Sequence, residues 1–358
     1  MRENSAYPTM HSKELSMSTI GDVCKLAGVS KTTVSRVING TRQVKQSTKD
    51  IVQKAMEQLG YRPNSLAQSL ARNQTNTIGL VVSDFQNAYF STLLKQTSAS
   101  AKHVHKELMV TDGHNNADLE YEAIQRLQDH RCDAIVLYSR KMSEAQLTKL
   151  KQQLNVPLVL INRQLSAPLF HTVTFNQAGA VQMMLNNLIS YGHRKIACIT
   201  GPMNRPSSQT RLNAYRDTLK SHAISFNPNI VLNSNYEIQG GYDACQTLIR
   251  SQDPFSAVFA FNDDMALGAL KALTEAGISV PEQISVAGID NIPMTRFSHP
   301  SLSTVYLPIQ EMTKRAVEIA LMLAAGKTCP IASQFNGTLI QRDSVLPLNS
   351  VKQNWFKC

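Results

Sequence analysis

The sequence predicts a small α-helical headpiece built on a helix-turn-helix, followed by an α/β core of two doubly wound subdomains. Three observations carry that expectation. Residues 19–40 place apolar side chains at helical spacing on either side of a glycine break, nine Lys and Arg crowd residues 18–75, and β-rich runs alternate with helical patterns from Thr75 onward. At 358 residues the chain exceeds one typical domain.

Residues 1–17 are polar and lack the apolar stretch of a secretory signal, so they read as a flexible N-terminal extension or a misplaced start. Residues 18–62 read as the DNA-binding unit. Within TIGDVCKLAGVSKTTVSRVING, Thr19 and Asp22 form a capping-box-like start, and Ile20, Val23, Cys24 and Ala27 make one apolar stripe. Gly28 supplies the backbone freedom of a tight turn, and Ser30 is a ready N-cap for a second helix with Val34, Val37 and Ile38 inside. A third helix, Ser47 to Leu59, is expected to close the small core with Ile51, Val52, Ala55 and Leu59.

This arrangement leaves Lys31, Thr32, Ser35 and Arg36 at or near the exposed start of the second helix. Short polar and cationic side chains there reach base edges and phosphates if the helix enters a major groove. A helical hairpin used only for packing shows the same periodicity. Charge argues against that reading: the nine cations of residues 18–75 face only three acidic residues, over half of the chain's excess of ten. Such concentration suits phosphate contact.

Residues 18–75 resemble the headpiece of the lactose/galactose repressor family, through TIGDVCKLAGVSKTTVSRVING and the following GYRPNSLAQSLA. The resemblance implies that Lys31 and Thr32 open the recognition helix, with Arg36 on the same face. Residues 63–75 are expected to be a hinge helix and linker, with Asn64 as N-cap and Ser65 to Ala71 too short for a stable isolated helix. The resemblance implies that this helix forms when two copies pair on DNA, and that Leu70 wedges into the minor groove and kinks the duplex. Asn64 and Leu70 complete the candidate DNA-contacting set.

Residues 76–345 form the expected core. The runs IGLVVS (78–83), ELMVTD (107–112), DAIVLYS (133–139), PLVLIN (157–162), KIACIT (195–200), SAVFAF (256–261) and ISVAGID (284–290) are too many for one convenient sheet. In parallel sheets, ligands gather beyond the carboxyl ends of strands. There the sequence places Ser83, Asp84 and Asn87 beside Tyr89 and Phe90, then Asn162, Arg163, Asn262 and Asp290, with Arg211 opening a helix after ITGP. Amide, guanidinium and carboxylate groups near aromatic rings suit a polyhydroxylated ligand.

The core resembles the same family's effector domain and the related periplasmic sugar-binding proteins. GHRKIACITGP (192–202), FNDDMALGALKALTEAGISVPEQISVAGIDN (261–291) and LIQRDSV (339–345), which matches the closing strand, carry that resemblance. It implies that Ser83, Asn87, Tyr89, Phe90, Arg211, Asn262 and Asp290 occupy ligand-contacting positions. Asn162 replaces an aspartate of several members, and an amide donates as well as accepts, so hydroxyl preference should change. Asn162-Arg163 resembles the galactose and aryl-glucoside regulator branches, favouring a sugar or glycoside over a purine.

No GxSxG, HExxH, P-loop or convincing GxGxxG is present, so no catalytic residue, cofactor or metal is expected. Asp263-Asp264 suits a helix N-terminus, and His103 and His105 suit a helix surface. The six cysteines, 24, 132, 198, 245, 329 and 358, are scattered as expected of thiols in a reducing cytosol. No apolar run is long enough for a membrane span, and residues 346–358 read as a tail without leucine heptads.

The expectation is therefore a cytoplasmic, nucleoid-associated repressor of a carbohydrate-utilisation operon. It would bind a pseudopalindromic operator as a homodimer and be released by a sugar or glycoside. A co-repressor of purine type on the same architecture, or a solute-binding protein, is the alternative; the latter would leave the basic headpiece idle.

Overall fold

The computed structural model describes residues 18–40, 44–63, 75–83, 85, 88–251 and 253–348. The chain divides into two units, Met1–Thr75 and Asn76–Cys358.

In the first unit, α1 (Ile20–Ala27), α2 (Lys31–Asn39) and α3 (Gln46–Gln58) surround a core of Val23, Ala27, Val34, Val52 and Ala55. The capping box is formed: Thr19 N–H donates to Asp22 Oδ2 at 2.9 Å, and Asp22 N–H returns to Thr19 Oγ1 at 3.4 Å. Gly28 ends α1 in the left-handed region at φ 63°, as the turn requires. Ser30 caps α2 by accepting from Thr33 N–H at 3.2 Å. The third helix differs from expectation in one respect. Ile51 is half exposed, because Val52 and Ala55 already fill the inward face.

The second unit holds two six-stranded sheets. The first contains β1 (Thr77–Val82), β2 (Glu107–Asp112), β3 (Ala134–Leu137), β4 (Leu158–Ile161), β5 (His171–Phe175) and, from far along the chain, β11 (Ala332–Phe335). Its order is β11-β5-β4-β3-β1-β2, with every pair parallel. The second contains β6 (Ile196–Thr200), β7 (Val231–Asn233), β8 (Ala257–Ala260), β9 (Ser285–Asp290), β10 (Ser303–Tyr306) and β12 (Thr338–Ile340), in the order β12-β10-β9-β8-β6-β7. Only the β10–β12 pair is antiparallel. The two orders are the same pattern used twice.

Period-two side-chain alternation explains why both faces of the first sheet are buried. Ile78, Leu80, Val136 and Val159 join one apolar cluster, with Phe90 and Leu93 of α4 (Ala88–His103). Val81, Ile135, Leu137 and Leu160 point the other way, onto Ile124 and Leu127 of α5 (Ala117–Asp129) and Leu147 and Leu150 of α6 (Glu144–Gln153). In the second lobe, α7 (Gln177–Ser190), α8 (Pro206–Ser221), α9 (Ile238–Ser251) and α10 (Asp263–Glu275) flank the sheet. The next helix, α11 (Ile309–Ala324), follows a strand of the second sheet yet packs on β3, β4 and β5 of the first. The chain thus crosses between lobes after Phe175, after Tyr306 and between Phe335 and Thr338. Asn176 Nδ2 donates to Asn336 Oδ1 at 3.0 Å, tying the first crossing to the third.

Strands β5, β7, β10 and β11 were not among the expected runs, and within LIQRDSV only residues 339–340 are paired in a strand. His105 lies in a turn at φ 55° just after α4, rather than on a helix. His193 is buried, with Nδ1 2.9 Å from Ser256 Oγ and Nε2 3.0 Å from Leu346 O. The carbonyl can only accept, so Nε2 carries the proton. Burial lowers the ring's pKa, and the Leu346 contact partly opposes the shift. Among the described residues no helix is long and apolar enough to cross a membrane.

Candidate functional site

Two regions concentrate chemistry. On the headpiece, Lys31, Thr32 and Arg36 are exposed along the first turns of α2, while Val34 between them is fully buried. Ser35 is half-buried and accepts from Asn39 Nδ2 at 3.1 Å. No ion pair holds Lys31 or Arg36 among the described residues, so both charges are available to a phosphate or base edge. Asn64, Leu70 and the helix expected over residues 65–71 fall outside the described residues.

The second region is a cavity of about 460 Å³ where the carboxyl ends of the two sheets meet. Each sheet reverses its strand order once, between β1 and β3 and between β6 and β8, and such switch points leave a crevice. The cavity is lined from both. Tyr89, Tyr138, Arg140, Lys141, Asn162 and Arg163 follow strands of the first sheet; Arg205, Arg211, Tyr236, Asn262, Asp264 and Asp290 come from the second lobe.

Of the effector residues expected from sequence, Tyr89, Asn162, Arg163, Arg211, Asn262 and Asp290 therefore share one wall system. Ser83 and Phe90 do not line it. Ser83 is fully buried, and its hydroxyl is committed to Glu120 Oε1 at 2.8 Å and the Tyr138 carbonyl at 3.1 Å. Phe90 is 2% exposed and packs edge-on beneath Tyr89 and Tyr138, at centroid separations of 5.3 and 5.1 Å. Both shape the wall from behind. Asn87 lies outside the described residues. Arg211 stands in the second turn of α8 instead of opening it, because the helix begins at Pro206.

Buried Glu120 organises the first wall. It accepts from Ser83 Oγ, from Ser139 Oγ at 2.6 Å, and from the N–H groups of Arg140 at 3.1 Å and Met142 at 3.4 Å. Those bonds fix the turn carrying Arg140 and Lys141. Arg163 Nη1 donates to Ser139 Oγ at 3.3 Å, and burial lowers its pKa while Glu120 and Glu144 oppose the shift. The Arg140 guanidinium lies 4.7 Å from the Phe90 ring centroid.

On the second wall, Arg211 Nε donates to Gln177 Oε1 at 2.7 Å, and Nη1 donates to the Phe261 carbonyl. Asn262 caps α10 by accepting from Met265 N–H at 3.0 Å, while its Nδ2 donates to Tyr236 O at 3.1 Å. Tyr236 stands at φ 71°, its ring over Gly201, where any Cβ would strike the ring. Asp290 is held at φ 126°, a costly conformation for a residue with a Cβ. Burial pushes its carboxyl well above the usual range, Arg211 opposes that, and Asp263 and Asp264 add to it. Asp263 and Asp264 do begin a helix. Asp264 also lines the cavity, and Asp263 is fully buried, accepting from Thr304 Oγ1 at 2.6 Å and Ile292 N–H at 3.0 Å. Among the described residues no group of three or more His, Cys, Asp or Glu is arranged to hold a metal.

Sequence reasoning missed Tyr138, Arg140, Gln177, Tyr236 and Asp264 on the wall. The first two follow DAIVL directly, so the strand-end rule could have found them. Gln177 follows HTVTF, whose polar alternation hid a strand, and Tyr236 lies in a loop after a three-residue strand.

A helix-turn-helix unit joined in one chain to a two-lobed core with a cavity between its lobes defines a ligand-responsive DNA-binding regulator. Residues 19–64 match the bacterial regulatory proteins of the lacI family, and residues 185–345 match the periplasmic binding protein-like domain. The chain is 40% identical to the HTH-type transcriptional regulator AscG of Escherichia coli K12, over 92% of this chain and 99% of that one. It is 36% identical to GalR of the same strain, over 92% and 96%. The crystal structure of the lac repressor dimer bound to operator and the anti-inducer ONPF superposes with a TM-score of 0.86 at 25% identity, over 92% and 99%. The chain belongs to the LacI family of bacterial regulatory proteins, whose members are non-catalytic transcriptional regulators.

Proposed function

We propose that this chain is a repressor of carbohydrate-utilisation genes, binding a pseudopalindromic operator as a homodimer and released by a sugar or glycoside. Lys31, Thr32, Ser35 and Arg36 read and anchor the major groove, with Asn64 and Leu70 of the hinge segment at the operator centre. Asn162, Arg163, Arg211, Asn262 and Asp290 take the effector's hydroxyls, and Tyr89 and Tyr138 offer ring faces to its C–H surface.

The observation that carries this reading is the cavity wall itself. Amide and guanidinium groups from both lobes, carboxylates from the second, and the rings of Tyr89, Tyr138 and Tyr236 line one space. The lac repressor structure, with operator and a ligand on one dimer, supports the pairing of functions. Ligand must bind the DNA-competent and DNA-incompetent states unequally, and closure of two lobes around a ligand supplies that difference.

The test is a thermal-shift screen of the full chain against sugars, glycosides and purines, followed by operator release measured by gel mobility. A sugar or glycoside should raise the melting point and free the operator, and Asp290→Ala should abolish both responses while keeping DNA binding. Stabilisation by a purine alone, with tighter operator binding, would overturn the reading.

A further inference from the structure

The cavity carries more positive charge than a neutral sugar needs. Among the described residues, Arg140, Lys141, Arg163, Arg205 and Arg211 line it against two lining carboxylates, Asp264 and Asp290, while Glu120 and Glu144, outside the lining, offset part of the Arg163 charge. Among the described residues no ion pair joins Lys141 or Arg163 to either carboxylate, and Arg211 acts on Asp290 without a direct pair. Burial also raises the pKa of both carboxylates, which weakens the negative side further. Clustered cations in a partly desolvated space repel one another and lose hydration, a cost that an incoming anion offsets.

The charges are also sorted by wall. Arg140, Lys141 and Arg163 follow β3 and β4, with the Glu120 carboxylate behind them, whereas the two lining carboxylates belong to the second lobe. The cationic wall is pre-organised. Glu120 holds the backbone N–H groups of Arg140 and Met142 on either side of Lys141, and Ser139 connects Glu120 to Arg163. Lys141 is exposed and has no ion-pair partner among the described residues. Arg140, Lys141 and Arg163 put two guanidinium groups and an ammonium on the lining of one wall. That suits a tetrahedral dianion; a planar carboxylate is satisfied by one bidentate arginine.

We propose that the effector of this chain is a phosphorylated sugar or glycoside, its phosphate monoester held by Arg140, Lys141 and Arg163 on the first wall. Its hydroxyls then face Asn262, Asp264 and Asp290 on the second. This rests on the sugar reading of the cavity and adds the charge that reading leaves open. A regulator so built responds to a product of sugar phosphorylation and ignores the unmodified sugar outside that reaction.

The experiment is titration calorimetry on the full chain. Glucose 6-phosphate, galactose 6-phosphate and methyl β-glucoside 6-phosphate are each compared with the dephosphorylated form, and inorganic phosphate and glucuronic acid serve as charge controls. At least one phosphate ester should bind about 100-fold or more tightly than its parent, with operator release following the ester. Lys141→Gln, at an exposed side chain, should reduce that ratio by roughly tenfold or more without lowering the melting point of the free protein, Lys141→Arg should keep it, and Arg163→Gln should reduce it to a similar degree. Equal affinity for ester and parent overturns the phosphate assignment and leaves the sugar reading standing, as does preference for glucuronic acid. Binding of inorganic phosphate alone, or of no sugar in either form, overturns both.

Discussion

Asn162 on the first wall of the cleft and Arg211 on the second are joined through one amide. Arg211 Nε donates to Gln177 Oε1 at 2.7 Å, and Gln177 Nε2 donates to Asn162 Oδ1 at 3.0 Å. Gln177 opens α7 immediately after the first crossing between lobes. The bridge therefore spans the joint at which the lobes would open or close. It also orients two groups assigned to the effector. The Asn162 oxygen accepts within the protein, which leaves its NH₂ on the cavity side beside the Tyr89 hydroxyl.

Gln177→Leu keeps the volume and removes both bonds. It leaves the Arg211 Nε–H and the Asn162 carbonyl to find water or ligand. Effector affinity should fall by about 1–2 kcal/mol, roughly tenfold, since two polar groups lose their orientation. Calorimetry against the best effector checks it. Unchanged affinity would show that the bridge does not shape the site.

The headpiece makes an independent prediction. Arg36 is exposed with no ion pair among the described residues, so its removal costs little folding energy. Arg36→Ala should weaken operator binding by about 1–3 kcal/mol at fixed salt. If Arg36 contacts phosphate, the slope of log affinity against log salt should also fall by about one. Effector affinity should stay the same. Equal operator affinity in a mobility-shift titration would remove this face of α2 from the interface.

Legibility from sequence followed the physics of each element. The capping residues Thr19 and Ser30 and the turn at Gly28 act locally, through bonds to residues a few positions away, and their geometry follows from the residue types. The long apolar strands β1, β3, β4, β6, β8 and β9 announced themselves because both faces of the sheets are buried. Two of the edge strands, β7 and β11, did not, although β2, also at an edge, did. β7 and β11 bury few side chains, so their sequences, VLN and ASQF, carry no apolar signal. For the cavity, strand-end position located six residues, but Ser83 and Phe90 point into the protein. Position after a strand fixes where the backbone is, and not which neighbour claims the side chain. Glu120 was invisible for a related reason: an acid in the first turn of a helix reads as ordinary dipole compensation, whereas here it gathers Ser83, Ser139, Arg140 and Met142.

Asp263 gives the stability of the core a pH dependence of defined sign. Its carboxyl is fully buried, and burial raises the pKa from 3.8 to about 7 despite the bonds from Thr304 and Ile292. A folded pKa above the unfolded one means that the native state binds the proton more tightly. The contribution is therefore fully present below about pH 4 and is lost progressively as pH rises through about 7. Urea unfolding at a series of pH values from about 5 to 8 should show core stability declining by on the order of a few kcal/mol from this group. Asp263→Asn removes the titration and keeps the geometry: the amide oxygen accepts from Ile292 N–H, and the NH₂ donates to the Thr304 hydroxyl. The variant should lose much of the decline, and near pH 8 it should match or exceed the parent chain. A variant with the parent's full slope would assign the pH dependence to other groups, with Asp264 and Asp290 the nearest carboxyls shifted in the same direction.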